Sequence, residues 1–145
     1  MYIHETRVRV LYAHTDKAGV VYYANYLQFF EAGRTEYFRS LGKSYADFEQ
    51  RGILLTVVEA SCKYLAPAAY DDELTIRTRV ARLRRTRIDF EYEVVGPTGV
   101  VLCRGSTVLA CIAAATRRPC KLPEDMRAML EESEKVRREE RPLRA

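Results

Sequence analysis

The chain has 145 residues, of which 48% are hydrophobic and 30% are charged, so it can bury the core of a single domain. Its formal net charge of +4 permits an anionic ligand but is too weakly polarised to indicate a nucleic-acid binder. We find neither the apolar core of a signal peptide near the start nor an apolar run that could span a bilayer, and therefore expect a cytoplasmic protein without a membrane span.

The first part of the chain predicts a strand followed by a long helix. Side chains alternate between apolar and charged over residues 6–12, which is typical of a strand with one wet face. Over residues 26–41 the apolar side chains recur at helical spacing, and Gly42 is a typical helix stop. Gly33 lies on the apolar face and indicates a closely approaching strand, because a mid-helix glycine otherwise costs about 1 kcal/mol relative to alanine.

The rest of the chain predicts a short helix, four strands and a final helix. Ser44 and Asp47 are spaced like a capping box, which predicts a helix that ends near Gly52. The four strand-like runs cover residues 53–66, 73–83, 86–95 and 100–115. Pro123 opens a helix that passes into a charged tail, and we assign residues 123–145 to the same domain as residues 1–122.

The order of these elements predicts the architecture. Short connections between the strands favour antiparallel pairing, and one long helix on such a sheet gives an α+β layer. A single helix covers only part of the sheet, and the long apolar run at residues 100–115 indicates that another subunit covers the rest. We therefore predict a homodimer or a larger assembly.

The cysteines are not spaced like metal ligands. No two of them form a Cys-x-x-Cys pair and both histidines lie far from them, so we expect no metal site. Three of the four, Cys62, Cys103 and Cys111, fall within apolar strand-like runs. Buried free thiols in a reducing cytosol are the interpretation that we favour.

The candidate catalytic residue is Asp16, which lies between the first strand and the long helix. Its neighbours are small or apolar, which predicts a partly dry pocket where a carboxylate acts as a general base or as a nucleophile. Gly19 permits a tight turn towards the helix, and a helix-start N–H near Tyr23 is a candidate oxyanion donor. From spacing alone, an ordinary turn or capping aspartate is the simpler interpretation of Asp16.

Other charged residues offer alternatives. His14 and Glu31 are candidate bases, although Glu31 and Glu36 are more simply solvated charges on the helix. Four arginines cluster at a strand connection: Arg82, Arg84, Arg85 and Arg87. Such a cluster is usually a solvated sheet edge, but it is also suited to bind phosphate groups.

Two segments resemble a known family. Residues 16–27, with Glu31, Arg34 and Glu36 behind them, resemble the active-site signature of the 4-hydroxybenzoyl-CoA thioesterase family. This group of hotdog-fold enzymes includes the acyl-CoA thioesterases associated with the Tol-Pal system. Residues 66–74 resemble the segment that joins the second and third strands of the family, and the resemblance covers roughly residues 6–112.

The resemblance implies a fold and a reaction. The fold is the hotdog, in which a five-stranded antiparallel sheet wraps one long helix and subunits associate through their sheets into a homodimer or homotetramer. Its active sites lie at the dimer interface. The reaction is hydrolysis of a short-chain or aromatic acyl-CoA, with coenzyme A as part of the substrate and no metal or redox cofactor. A non-catalytic acyl-CoA binding protein and a hydratase that uses His14 are the alternatives on this fold.

The resemblance also implies roles for individual residues. It makes Asp16 the catalytic carboxylate, the backbone N–H of Tyr23 the oxyanion donor, and Gly19 the residue that shapes the loop. Arg84 and Arg85 match the coenzyme A phosphate site. Many Tol-Pal-associated members carry histidine at the position of Tyr23, and the hydroxybenzoyl branch follows its tyrosine with proline, where this chain has alanine. The chain thus lies between the branches, and its acyl group stays open.

Overall fold

A computed structural model describes residues 2–42 and 45–140, with the side chains of 135–140 left aside. The strands are β1 (His4–Arg9), β2 (Ile53–Tyr64), β3 (Glu73–Leu83), β4 (Arg87–Val95) and β5 (Val101–Ala113). The helices are α1 (Asn25–Ser40), α2 (Tyr45–Gln50) and α3 (Glu124–Glu140). Among the described residues, none of the helices combines the length and the apolar character that a membrane crossing demands.

The strands form one antiparallel sheet in the order β1-β3-β4-β5-β2. Helix α1 lies across one face of the sheet and buries the side chains that the sequence placed on its apolar face, namely Tyr26, Phe29, Phe30, Gly33, Tyr37 and Phe38. The predicted α+β architecture, one long helix wrapped by a five-stranded antiparallel sheet, is therefore confirmed.

Glycines let the helix and the sheet approach each other closely. A Cβ atom added to Gly33 would come within 2.8 Å of Cγ2 of Ile76 and closer still to the Thr78 side chain. On the sheet side, a Cβ added to Gly105 would collide with the Phe30 ring and lie 2.6 Å from a backbone carbonyl. The predicted close approach of a strand at Gly33 is confirmed.

The first strand is shorter than predicted. β1 ends at Arg9 instead of Tyr12, and Tyr12–His14 form a 3₁₀ turn. The backbone N–H of Leu11 donates to Nδ1 of His14 at 2.9 Å, so a local bond replaces the ladder there. The alternating pattern continues in the sequence, but the Tyr12 side chain is 78% exposed.

The later elements match the prediction with small differences at their ends. β3 has the predicted bounds. β2 was predicted to reach residue 66 but ends at Tyr64, because the N–H groups of the next two residues both donate to the Leu102 carbonyl. α2 is present, but the predicted cap Ser44 lies outside the described residues. Met126 and Leu130 of α3 join the common core. The division into residues 1–122 and 123–145 stays a prediction.

The uncovered part of the sheet is not where the sequence indicated. Within the single chain β5 is buried or half-buried at every position except Arg104, and the coverage of the rest of the sheet by a second subunit stays a prediction. The exposed strand is β2, which lies at the sheet edge and bears Val57 and Val58 at 44% and 45% exposure. The difference arises because periodicity reports a strand's apolar faces but not its place in the sheet.

Candidate active site

The loop that carries Asp16 is a tight, hydrogen-bonded turn. The N–H of Gly19 donates to the Asp16 carbonyl at 3.0 Å, and the Asp16 N–H donates to the Val20 carbonyl at 2.9 Å. Gly19 has φ +83°, a backbone conformation that side chains rarely adopt, so its predicted conformation is observed. The turn therefore sets the backbone position from which the Asp16 side chain extends.

The carboxylate of Asp16 is held at one oxygen only. Its Oδ1 accepts the Ala18 N–H at 2.9 Å, whereas Oδ2 has no hydrogen bond to any described residue. Asp16 and Ala18 are exposed, so the predicted partly dry pocket is wrong for the single chain. Small neighbours do not cover a carboxylate on a peripheral loop that no described element passes over.

His14 ties this loop to the start of α1. Its carbonyl accepts the Tyr22 N–H at 2.9 Å and the side-chain amide of Asn25 at 2.8 Å. Its ring stands edge-on to Phe29, with Nδ1 accepting the Leu11 N–H, which leaves the proton on Nε2. His14 thus has a structural role here, and its ring offers no free lone pair for a base.

The turn before α1 presents two unused donors. The helix begins at Asn25 with Ala24 as its N-cap residue, so Tyr23 directly precedes the cap, and its predicted role as oxyanion donor stays a prediction. The carbonyls of Tyr22 and Tyr23 accept the N–H groups of Asn25 and Tyr26, at 2.9 and 3.3 Å. The N–H groups of Tyr23 and Ala24 find no acceptor among the described parts of the chain. They are available to a ligand.

The second resembling segment packs directly against the Asp16 loop. The Val21 N–H donates to the Ala68 carbonyl at 2.9 Å, and Val20 forms an isolated bridge with Ala69. The segment is stabilised by a turn in which Oδ2 of Asp72 accepts the Ala69 N–H at 2.9 Å. The fold thus joins the two stretches on which the resemblance depends.

Exposed tyrosines surround the loop and the turn. They are Tyr12, Tyr22, Tyr23, Tyr64 and Tyr70. The rings of Tyr22 and Tyr23 are 4.7 Å apart, and the Tyr64 hydroxyl donates to the Tyr23 carbonyl at 3.0 Å. A hydrogen bond with Tyr23 raises the pKa of Tyr22, and the charge of Asp16 contributes to this rise. Tyr64 could not be identified from the sequence, because only the fold brings β2 to this turn.

The two predicted phosphate-binding arginines line a different groove, of about 360 Å³. Its lining also includes Lys121, Arg127 and one carboxylate, and none of residues 12–27. Arg84 lies 2.6 Å from Asp89 and its carbonyl accepts a hydrogen bond from Arg127, while Arg85 and Lys121 form no ion pair within the described residues. The sequence analysis missed Lys121 and Arg127, because both lie far along the chain from the arginine cluster. Their positions on either side of Pro123, where the last helix was predicted to start, were the signal that could have identified them.

The helix glutamates lie apart from the loop. Glu36 is paired with Arg39, and Glu31 lines a small cleft of about 130 Å³ with Arg34 and Tyr45. A groove of about 620 Å³ lies on the open face of the sheet and is crossed by ion pairs such as Arg77 with Glu93 at 3.1 Å. Neither feature includes Asp16, so the candidate site is an open surface on this chain.

Comparisons with known proteins agree with this geometry. The chain is 34% identical over 122 residues to the acyl-CoA thioesterase YbgC of Haemophilus influenzae, covering 83% of this chain and 89% of the relative. It is 29% identical over 119 residues to the putative acyl-CoA thioesterase YneP of Bacillus subtilis, covering 82% and 86%. A solved DHNA-CoA thioesterase from Staphylococcus aureus superposes with a TM-score of 0.90 at 32% identity, over 99% of this chain and 98% of that one.

The family itself is also matched directly. Residues 10–130 match the thioesterase-like superfamily, a span that takes in the Asp16 loop, all of α1 and strands β2 to β5. The predicted family and the hotdog fold are therefore confirmed. By its sequence, its sheet and its helix, this chain belongs to the thioesterase-like superfamily.

Proposed function

We propose that this protein hydrolyses acyl-CoA thioesters to the free acid and coenzyme A, with Asp16 as the reacting carboxylate. One observation carries the proposal: the His14 carbonyl binds the Tyr22 N–H and the Asn25 side chain, which holds the Asp16 loop beside the two unused amides at Tyr23 and Ala24. Relatives named acyl-CoA thioesterases support it.

Asp16 can perform the reaction in two ways. As a general base it takes a proton from water while the water oxygen attacks the thioester carbonyl carbon; the C–S bond then breaks and the proton passes to the departing sulfur. As a nucleophile its oxygen attacks, the coenzyme A thiolate leaves and takes a proton from solvent, and water hydrolyses the resulting anhydride. In both cases the oxyanion lies against the Tyr23 N–H, and loss of such a donor typically costs about 3 kcal/mol.

The remaining predicted features form part of the same proposal. Arg84 and Arg85 would bind phosphates of coenzyme A, with Arg85 as the stronger contributor because its side chain has no ion pair among the described residues. No metal or redox cofactor is included, because a carboxylate, water and amides supply the chemistry. A cytoplasmic location is supported by the four free cysteines, and cell fractionation would test it.

We propose that the acyl group of the thioester substrate is short-chain or aromatic. The rings of Tyr22 and Tyr23 stand exposed beside the unused amides and can pack against an aromatic acyl group. The similar solved structure carries the name of a thioesterase for an aromatic acyl-CoA, which supports the aromatic choice.

A panel of thioesters tests the function. Purified protein is mixed with benzoyl-, phenylacetyl-, acetyl-, hexanoyl- and palmitoyl-CoA, and released thiol is measured with a chromogenic disulfide. We expect turnover of the aromatic or short-chain members above that of palmitoyl-CoA. Saturable binding of these thioesters without any thiol release would instead identify a non-catalytic acyl-CoA binding protein and contradict the proposal.

We also propose that the protein is a homodimer or homotetramer. β2 leaves a sheet edge without a partner strand among the described residues, with Val57 and Val58 exposed, and Asp16 is exposed as well. A second copy of the chain bound along this edge would cover both the exposed strand and the Asp16 loop. We expect light scattering at micromolar protein to give two or four times the chain mass, and a monomer under those conditions would contradict the proposal.

A further inference from the structure

Tyr64 reaches from the sheet to the turn that carries the candidate oxyanion donor. It is the last residue of β2, and its hydroxyl donates to the Tyr23 carbonyl at 3.0 Å across 41 residues of sequence. Its ring stands edge-on to Tyr23 and to Tyr26, with centroids 6.2 and 5.4 Å away. This is a contact between an edge strand and the turn whose Tyr23 and Ala24 N–H groups have no acceptor among the described residues.

The sheet fixes the position of this hydroxyl. Tyr64 is paired with Cys103 on β5, and the next residue donates its N–H to the Leu102 carbonyl at 2.8 Å. On the other side its ring contacts Tyr26, which is buried at the start of α1. The strand and the buried ring hold the phenol independently of the turn, so its hydroxyl can orient the turn.

The hydrogen bond acts on the peptide that joins Tyr23 and Ala24. The Tyr23 carbonyl also accepts the Tyr26 N–H, but at 3.3 Å, so the Tyr64 hydroxyl is the nearer of its two donors. Fixing this carbonyl fixes the Ala24 N–H on the same peptide plane and limits rotation about Tyr23, whose own N–H is the proposed oxyanion donor. Burial raises the pKa of Tyr64, so the phenol remains protonated and can donate.

We propose that Tyr64 is a positioning residue that orients the turn at Tyr23 and Ala24 for the oxyanion of the thioester reaction. The inference rests on the proposed function, since an oxyanion exists only if the thioester is attacked. Tyr64 does not react; its hydroxyl preorganises the donors, and preorganised donors stabilise a transition state more than a bound substrate.

The test is the variant Tyr64→Phe, which removes the hydroxyl and keeps the ring contacts. We expect kcat to fall about 3- to 10-fold, the rate equivalent of one neutral hydrogen bond, with KM unchanged. In nuclear magnetic resonance, the ¹⁵N resonance of Ala24 should move, because the carbonyl on its own peptide loses a donor. The resonance reports the hydrogen bond and kcat reports its effect on the reaction, so a merely structural tyrosine would lower the melting temperature and leave kcat unaltered.

Tyr45→Phe is the matched control. The Tyr45 hydroxyl is also bonded to β2, accepting the Leu55 N–H at 2.5 Å, but near the opposite end of that strand. This variant should lower stability without changing kcat or the Ala24 resonance. If the wild-type protein turns over substrate, three results would overturn the role of Tyr64. They are an unchanged kcat in Tyr64→Phe, an effect that appears only in KM, and an unmoved Ala24 resonance. A wild-type protein that releases no coenzyme A would contradict the proposed function instead.

Discussion

Replacing Asp16 with asparagine is expected to lower kcat for acyl-CoA hydrolysis by at least about 100-fold, the lower end for loss of a general base. The amide retains an oxygen that can accept the Ala18 N–H, which Oδ1 now accepts at 2.9 Å, so the turn should persist. Only the charge and basicity of the side chain are lost. Steady-state thiol release with the best substrate of the panel measures the effect, and circular dichroism checks the fold.

Asp72→Asn provides a control of the same kind. Asp72 accepts the Ala69 N–H at 2.9 Å in a similar turn on the adjoining segment, so this variant removes a nearby charge of identical chemistry. We expect it to retain most of the activity. Near-normal hydrolysis by Asp16→Asn, or an equal loss in both variants, would show that the carboxylate at residue 16 does not take part in the reaction.

Replacing Arg85 with alanine is expected to raise KM about 10-fold at low salt and to leave kcat unchanged. One charged hydrogen bond to a phosphate is worth about 1.5 kcal/mol or more, which corresponds to roughly that factor in affinity. The Arg85 side chain forms no ion pair with the described residues, so its removal leaves no carboxylate unpaired. Initial rates over a range of substrate concentrations give the two constants separately.

A modified substrate and a second arginine sharpen this experiment. With a thioester of dephospho-coenzyme A, which lacks the 3′-phosphate, wild type and Arg85→Ala should have similar KM values if that phosphate is the partner. Arg82→Ala removes an exposed arginine of β3 that does not line the groove and should leave KM unaltered. An unchanged KM in Arg85→Ala with the full substrate would place coenzyme A elsewhere.

Local patterns in the sequence were enough to predict most of the fold. β3 and the buried face of α1 follow directly from periodicities of two and 3.6 residues, since each pattern lies within one element. The first strand was predicted to end too late. The alternating pattern up to Tyr12 reports the direction in which side chains point and not whether the backbone pairs with another strand. The bond from Leu11 to the His14 ring, which replaces that partner, leaves no periodic signal.

The candidate site was predictable only where it is continuous in sequence. Asp16, Gly19 and Tyr23 lie within eight residues, so their grouping followed from chain geometry alone. The contacts with Ala68 and Tyr64 link segments about 40 residues apart and depend on strand order, which one sequence does not determine. The expected dry pocket is absent from the single chain for a related reason. A sequence pattern does not show whether another part of the fold, or another subunit, covers the loop.

A structure of Asp16→Asn with bound benzoyl-CoA, or with the best substrate of the panel, tests the central claim most directly. Hydrolysis is slowed in this variant, so the intact thioester should remain in place. We predict its carbonyl oxygen about 3 Å from the Tyr23 nitrogen, with the residue 16 side chain facing the carbonyl carbon. A thioester bound away from this turn, or a residue 16 side chain directed away from it in the assembled protein, would contradict the account.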